Sequence, residues 1–176
     1  MTDKSLPDKK ALDAAIDMEE KGHKFFVDSA AEAKDKLAKE VFQFLAGEEL
    51  NHIKAIKRFN EEYLKGKSSD SERLIDDIKK GVSIRAIEEL FKALTRATPL
   101  AGSDLDVYKF AMDFERKGEA FYKKAEAEAK DLNAKKLYGF LVGEERRHFK
   151  IVESCLNYFE NPAEFFHQRE KWHLEA

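Results

Sequence analysis

The 176-residue chain holds one cysteine, Cys155, three prolines and eight glycines. A single cysteine excludes an internal disulfide and any four-cysteine metal knot within this chain. So few helix breakers, beside so much alanine, leucine, glutamate and lysine, point to long helices. Neither sign of charge dominates, and a net charge of -3 argues against nucleic acid as a partner. No apolar run approaches the roughly 18 residues of a membrane span. The opening "MTDKSLPDKK" has no apolar signal segment. The expectation is a cytoplasmic protein with no membrane partner. Hydrophobic residues make up 43% of the chain, enough for one packed domain over 1–176.

What is present is a duplication. Residues 15–54 align with 111–150 at an offset of 96 without a gap, and twenty of the forty positions are identical. "GEELNHIK" (47–54) returns as "GEERRHFK" (143–150), and "AEAKD" occurs in both copies. Each copy reads as a helical hairpin, because apolar residues step by three and four. The first helix runs Leu12, Ile16, Glu19, His23, Phe26, Ala30, and the second Val41 or Phe42, Leu45, Glu49, His52, Ile56, Phe59, Tyr63. The third runs Tyr108, Met112, Glu115, Glu119, Tyr122, and the fourth Tyr138, Leu141, Glu145, His148, Val152, Cys155, Phe159. The repeats span 11–65 and 107–160, with turns near Lys34–Lys36 and Lys130–Asn133 too short for anything but antiparallel neighbours. A connector, 66–103, opens with the loop-like "GKSSDSE" and closes with the loop-like "TPLAGSD"; between them "SIRAIEELFKAL" reads as a short amphipathic helix. Asn161-Pro162 reads as the cap and first position of a short C-terminal helix bearing Phe165, Phe166 and Trp172.

Four glutamates and two histidines stand on these apolar seams. An isolated buried carboxylate costs several kcal/mol, to order of magnitude, unless it is paired or protonated. Glu19 and Glu49 each lie fifteen residues from residue 34, and Glu115 and Glu145 each lie fifteen from residue 130. At about 1.5 Å per residue, all four sit roughly 22 Å from their turns. Two hairpins packed as a pseudo-twofold pair would bring Glu19, Glu49, Glu115, Glu145, His52 and His148 into one layer. Two divalent cations would cancel the four negative charges, and neutral imidazoles would complete their shells. Carboxylate-rich sites with one histidine per metal suit iron or manganese. Glu-x-x-His alone says little, since all five histidines have a glutamate three residues before them. Only the 49/52 and 145/148 pairs combine it with duplication, inward phase and matching height. A reading in which these charges line solvated faces leaves that coincidence unexplained.

The motifs "EEKGHKFF" (19–26) and "ERKGEAFY" (115–122), each followed by "GEELNH" or "GEERRH", resemble the ferritin-like diiron-carboxylate superfamily and most closely its rubrerythrin-like branch. The ending "NYFENPAEFF" resembles that branch too. The resemblance implies an all-α, ferritin-like four-helix bundle holding two iron ions, with manganese or a mixed pair as alternatives. It implies Glu19 and Glu115 as terminal ligands, Glu49 and Glu145 as bridges, and His52 and His148 on one metal each; the spacing alone leaves open which carboxylates bridge. Rubrerythrins proper carry a four-cysteine rubredoxin module, which this chain lacks. They also carry a further glutamate three residues after the third-helix ligand, where this chain has Gly118. Glu119, one residue on, and its repeat mate His23 are candidate additional ligands, against the plainer reading of hydrogen-bonded polar groups. Tyr122 is a candidate for orienting a metal-bound carboxylate, against simple aromatic packing. Glu48 and Glu144 stand one residue off the ligand phase and read as surface charge or charge behind the ligands rather than as ligands; Arg146 and Arg147 default to a solvated face, with pairing of one of them to an acid behind the ligands as the alternative. Cys155 reads as a small buried hydrophobe, and His167 and His173 as surface residues of the tail.

The implied chemistry is two-electron reduction of hydrogen peroxide, with electrons from an external donor such as a rubredoxin. The alternatives are ferroxidase activity, oxidising ferrous iron with oxygen, and a structural metal site in an interaction module. Long helices joined by a long connector make a domain-swapped homodimer a further expectation.

Overall fold

The computed structural model describes residues 6–65, 70–79 and 102–165. The expected helix in "SIRAIEELFKAL" lies outside the described residues, as do Phe166, His167, Trp172 and His173 of the tail. Among the described residues five helices carry the architecture: α1 (Leu6–Glu32), α2 (Lys36–Leu64), α3 (Ser71–Lys79), α4 (Gly102–Glu128) and α5 (Leu132–Glu160). Among the described residues there is no strand. None of the described helices is long and apolar enough to cross a membrane.

The duplication is kept to the residue. Each boundary of the second hairpin lies 96 positions after its counterpart in the first: Leu6 and Gly102, Glu32 and Glu128, Lys36 and Leu132, Leu64 and Glu160. The shared "AEAKD" explains the turns, because its aspartate caps the next helix in both copies. Asp35 Oδ1 accepts from the Leu37 and Ala38 amides at 2.8 and 3.2 Å. Asp131 Oδ1 accepts from the Asn133 and Ala134 amides at 2.9 Å each. Satisfying these otherwise orphaned amides is worth about 1 kcal/mol per cap.

Within each hairpin the helices pack along their length; between hairpins, α1 lies against α4 and α2 against α5. Two apolar layers result. In one, Phe26, Phe42, Leu45, Tyr108, Val152 and Phe159 meet. In the other, Leu12, Ile56, Phe59, Tyr122, Leu137, Tyr138 and Leu141 meet. The start of α1 therefore shares a layer with the end of α4, so these helices run antiparallel, and so do α2 and α5. The end of α2 stands beside one layer and the start of α4 beside the other. The all-α bundle of two repeated hairpins is thus observed.

Two loop expectations need correction. Ser71 and Glu72, within "GKSSDSE", begin α3, because Asp70 caps it, its Oδ1 accepting from the Arg73 amide at 3.1 Å. Leu74 and Ile78 then bury against α2 and α5. The Ser71 hydroxyl also donates to Asn133 Oδ1 at 3.0 Å, pinning α3 to the start of α5. Gly102–Asp104, within "TPLAGSD", already belong to α4. After α5 the chain turns helical again over 162–165, and the Phe165 amide donates to Asn161 O at 3.0 Å, as the Asn-Pro signal predicts.

Most of the expected seam is buried, but two positions in each of two helices give way to a neighbour: Ala15 and Gly22 in α1, and Ala111 and Gly118 in α4, are buried beside Glu19, Phe26, Glu115 and Tyr122. Ile16, His23, Met112 and Glu119 are only half-buried. Steps of four, three and four select the small residues at these places. Their lack of bulk leaves the inward carboxylates room.

Candidate metal centre

Between the two apolar layers lie Glu19, Glu49, Glu115, Glu145, His52 and His148, each no more than 1% exposed. Each helix of the two hairpins supplies one glutamate, and α2 and α5 add a histidine one turn after theirs. The side chains form two groups whose ligand atoms all lie within 4.8 Å of one another: Glu19, Glu49, His52 and Glu145, and Glu49, Glu115, Glu145 and His148. Glu49 and Glu145 belong to both. His52 Nδ1 faces Glu19 Oε2 at 3.2 Å and Glu49 Oε2 at 3.6 Å. His148 Nδ1 faces Glu49 Oε1 at 3.3 Å and Glu115 Oε2 at 3.6 Å. The two imidazoles stack 5.4 Å apart, 13° from parallel.

Without cations this layer must hold protons. Burial pushes Glu19 up to about 8, with the adjoining Glu49 adding to the effect. Burial likewise raises Glu115, and raises Glu145 well above the carboxylate range with help from Glu115, Glu19 and Glu49. For Glu49 burial is outweighed by the adjoining Glu19 carboxyl and the facing His148 and His52 imidazoles, and its carboxyl sits well below that range. Burial alone would depress both imidazoles. The facing carboxylates instead hold His52 well above its ordinary value, and His148 at about 10. This is like charge and unlike charge forced together in a low dielectric.

The layer is also where hydrogen bonding fails. Glu49 Oε1, both oxygens of Glu115, Glu145 Oε1 and His148 Nδ1 are buried with no hydrogen-bond partner. Buried polar atoms are nearly always satisfied. Inward carboxylate oxygens and an imidazole nitrogen left over at one height are what cations would satisfy, so the donor set fits two hard divalent ions. The family model for rubrerythrin matches residues 10–156. The chain belongs to the rubrerythrin family. A search of curated proteins and of solved structures found no match to it. The match spans both hairpins, and with it all six residues of the layer.

Other candidates separate cleanly. The Tyr122 hydroxyl donates to Glu19 Oε1, across the bundle on the other hairpin, and the phenol is fully buried. Burial, with Glu19 and Glu145 nearby, holds its pKa well above the ordinary value, so the proton stays on the phenol. The two positions weighed as additional ligands are not brought into the layer. Glu119 is held by Arg146 at 2.7 Å and Lys123 at 2.8 Å, which lowers its pKa. His23 Nδ1 lies 2.8 Å from Ala46 O, a bond within its own hairpin. Gly118 and Gly22 take the inward place. A Cβ on Gly118 would stand 2.2 Å from Glu145 Oε2, and one on Gly22 would stand 2.7 Å from the Phe114 ring and 3.5 Å from the Glu49 carboxyl carbon. Both shared glutamates therefore pack on a glycine; the signal was the Lys-Gly repeated at the same place in both motifs. Cys155 is buried and free, as expected, with burial raising its thiol. Glu48 is buried to 1% exposure, and Arg147 ion-pairs with both Glu48 and Glu144, so pairing with an acid behind the ligands, the alternative to a solvated face, is what the structure shows for Arg147.

Proposed function

We propose that the chain is a non-haem diiron oxidoreductase that reduces hydrogen peroxide with electrons from an external donor such as a rubredoxin. The observation that carries the reading is the sharing of Glu49 and Glu145 by two buried ligand groups. On this reading Glu19, Glu49, His52 and Glu145 would hold one ion and Glu49, Glu115, Glu145 and His148 the other, with Glu49 and Glu145 common to both. Iron is the first choice of metal, and manganese or a mixed pair are the alternatives. When bound, two ferrous ions supply one electron each, the two electrons that peroxide needs.

The chain's own residues do the rest. His52 and His148 present Nδ1 to the layer. Each must shed a proton there before it can ligate, so metal uptake releases protons. The Tyr122 hydroxyl keeps its proton and points it at Glu19 Oε1, fixing that carboxylate's orientation. The apolar layers on either side exclude bulk water, which strengthens electrostatics inside. Reduction of one peroxide to two waters consumes two protons as well as two electrons.

Stopped-flow absorbance of the anaerobically reduced protein tests this. About one equivalent of peroxide should oxidise the centre, faster than oxygen at the same concentration. Repeated turnover should require an added donor. Faster reaction with oxygen, with added ferrous iron consumed far beyond two per chain, would replace this reading with the ferroxidase one. No response to either oxidant would favour a structural metal site.

A further inference from the structure

The imidazoles of the layer have a second side that the metal reading does not use. Nδ1 of each ring faces the carboxylates, and Nε2 of each is buried without a hydrogen bond. Behind His52, Glu144 Oε2 stands 3.9 Å from Nε2. The repeat mate of Glu144 is Glu48, buried to 1% exposure on α2. Arg147 Nη2 contacts Glu48 on α2 and Glu144 on α5 at once. One guanidinium thus ties the two hairpins together one residue from the ligand glutamates Glu49 and Glu145. The first repeat has Asn51 at the matching position, so a single cation serves a nearly symmetric pair of acids.

Chemistry gives this arrangement a purpose. A neutral imidazole ligates through one nitrogen only when the other carries the proton, and the group behind that other nitrogen selects the tautomer and the ring orientation. An acceptor behind Nε2 leaves Nδ1 free to ligate. Buried carboxylates hold such a position only if their own charge is compensated, and the planar fork of arginine can engage two acids where a lysine is a point charge. We propose that Glu48, Arg147 and Glu144 form a clamp that holds His52 with Nδ1 turned toward the metals, Arg147 being the positioning residue that fixes both carboxylates. The clamp rests on the dimetal reading above.

Cobalt(II) is the probe, added to the metal-free full chain of wild type, R147Q, R147K and E144Q. Wild type should take up two cobalt ions per chain. R147Q should bind one of them, the ion on His52, about 10- to 100-fold more weakly, the loss typical when the partner behind a ligand histidine is removed. Its visible cobalt bands should shift, and R147K should recover part of both effects. E144Q should weaken one of the two cobalt ions more than the other. Since R147Q strands the buried Glu48 carboxylate, E48Q/R147Q removes both charges together and should show the same loss of affinity while melting close to wild type. Unchanged affinity and bands in both R147Q and E48Q/R147Q would overturn the clamp. If wild type takes up no cobalt, it is the dimetal reading that fails. The clamp is then judged in metal-free protein by solvent exchange of the His52 Nε2 proton. Slower exchange in wild type than in R147Q supports it, and equal exchange overturns it.

Discussion

Replacing Gly118 by alanine drives a methyl group into a shared carboxylate. The new Cβ would lie 2.2 Å from Glu145 Oε2, 3.0 Å from its carboxyl carbon and 3.4 Å from Cγ. Ordinary contact needs about 3.5 Å, so the carboxylate must retreat by on the order of 1 Å. Glu145 is 1% exposed and has nowhere open to go. Overpacking of this kind costs about 1–3 kcal/mol, against a gain of about 0.5–1 kcal/mol from alanine in a helix. The metal-free G118A protein should therefore range from unchanged to about 2 kcal/mol less stable. Gly143 is the internal control. It lies in α5, on an exposed face, and a Cβ there meets nothing within 4 Å. G143A should gain about 0.5–1 kcal/mol, a rise in Tm of roughly 1–4 °C for a chain of this size. Metal retention separates the variants further: G118A should bind metal at least about tenfold more weakly, and G143A should bind as wild type. Thermal unfolding by circular dichroism and equilibrium dialysis against metal read both effects. A G118A protein that melts higher, as G143A does, and keeps its full metal would refute this packing of Glu145 on Gly118.

In metal-free protein, Glu19 and His148 both bind protons more tightly when folded. Their contribution is complete below their unfolded values, near 4.5 and 6.5, and is lost as pH rises through about 8 and about 10. Glu49 acts oppositely, its contribution being lost as pH falls through its depressed value. The metal-free Tm should accordingly fall between about pH 6 and about pH 9, and the advantage of the metal-loaded protein should widen over the same range, as calorimetry at several pH values will reveal. Glu49→Ala and Glu145→Ala should each lose both metals by elemental analysis, whereas Glu164→Ala, at an exposed position that also begins a Glu-x-x-His pair, should lose neither. Tyr122→Phe keeps the ring, as the repeat mate Phe26 already does, but removes the bond to Glu19. It should cost about 1.5–3 kcal/mol in metal-loaded protein, where that carboxylate is charged, and unfolding melts of both forms would measure it.

The six residues of the layer were legible because a carboxylate inside an apolar seam is visible in one dimension, and the duplication said it twice. The caps were legible too, since Asp35 and Asp131 sit in identical pentapeptides. Two positions in each of the α1 and α4 seams were misread by one residue because bulk guided the reading. His23 and Glu119 offered functional groups, while the residues that in fact face inward there, Gly22 and Gly118, offered none. Arg147 could not be placed from its own helix, where it stands among solvated charges. Its meaning comes from Glu48 on α2, and only the packing of two hairpins sets them side by side. The start of α3 was hidden by polar composition, although Asp70 followed by Leu74 and Ile78 held the capping and burial signal.

The measurement that bears most directly on the account is metal content per chain in protein purified without oxygen, with Glu49→Ala prepared alongside. Because Glu49 belongs to both ligand groups, the account predicts close to two iron or manganese ions per wild-type chain, and loss of both together in the variant. One tetrahedral zinc per chain, or a variant that keeps one of its two ions bound as tightly as before, would contradict it.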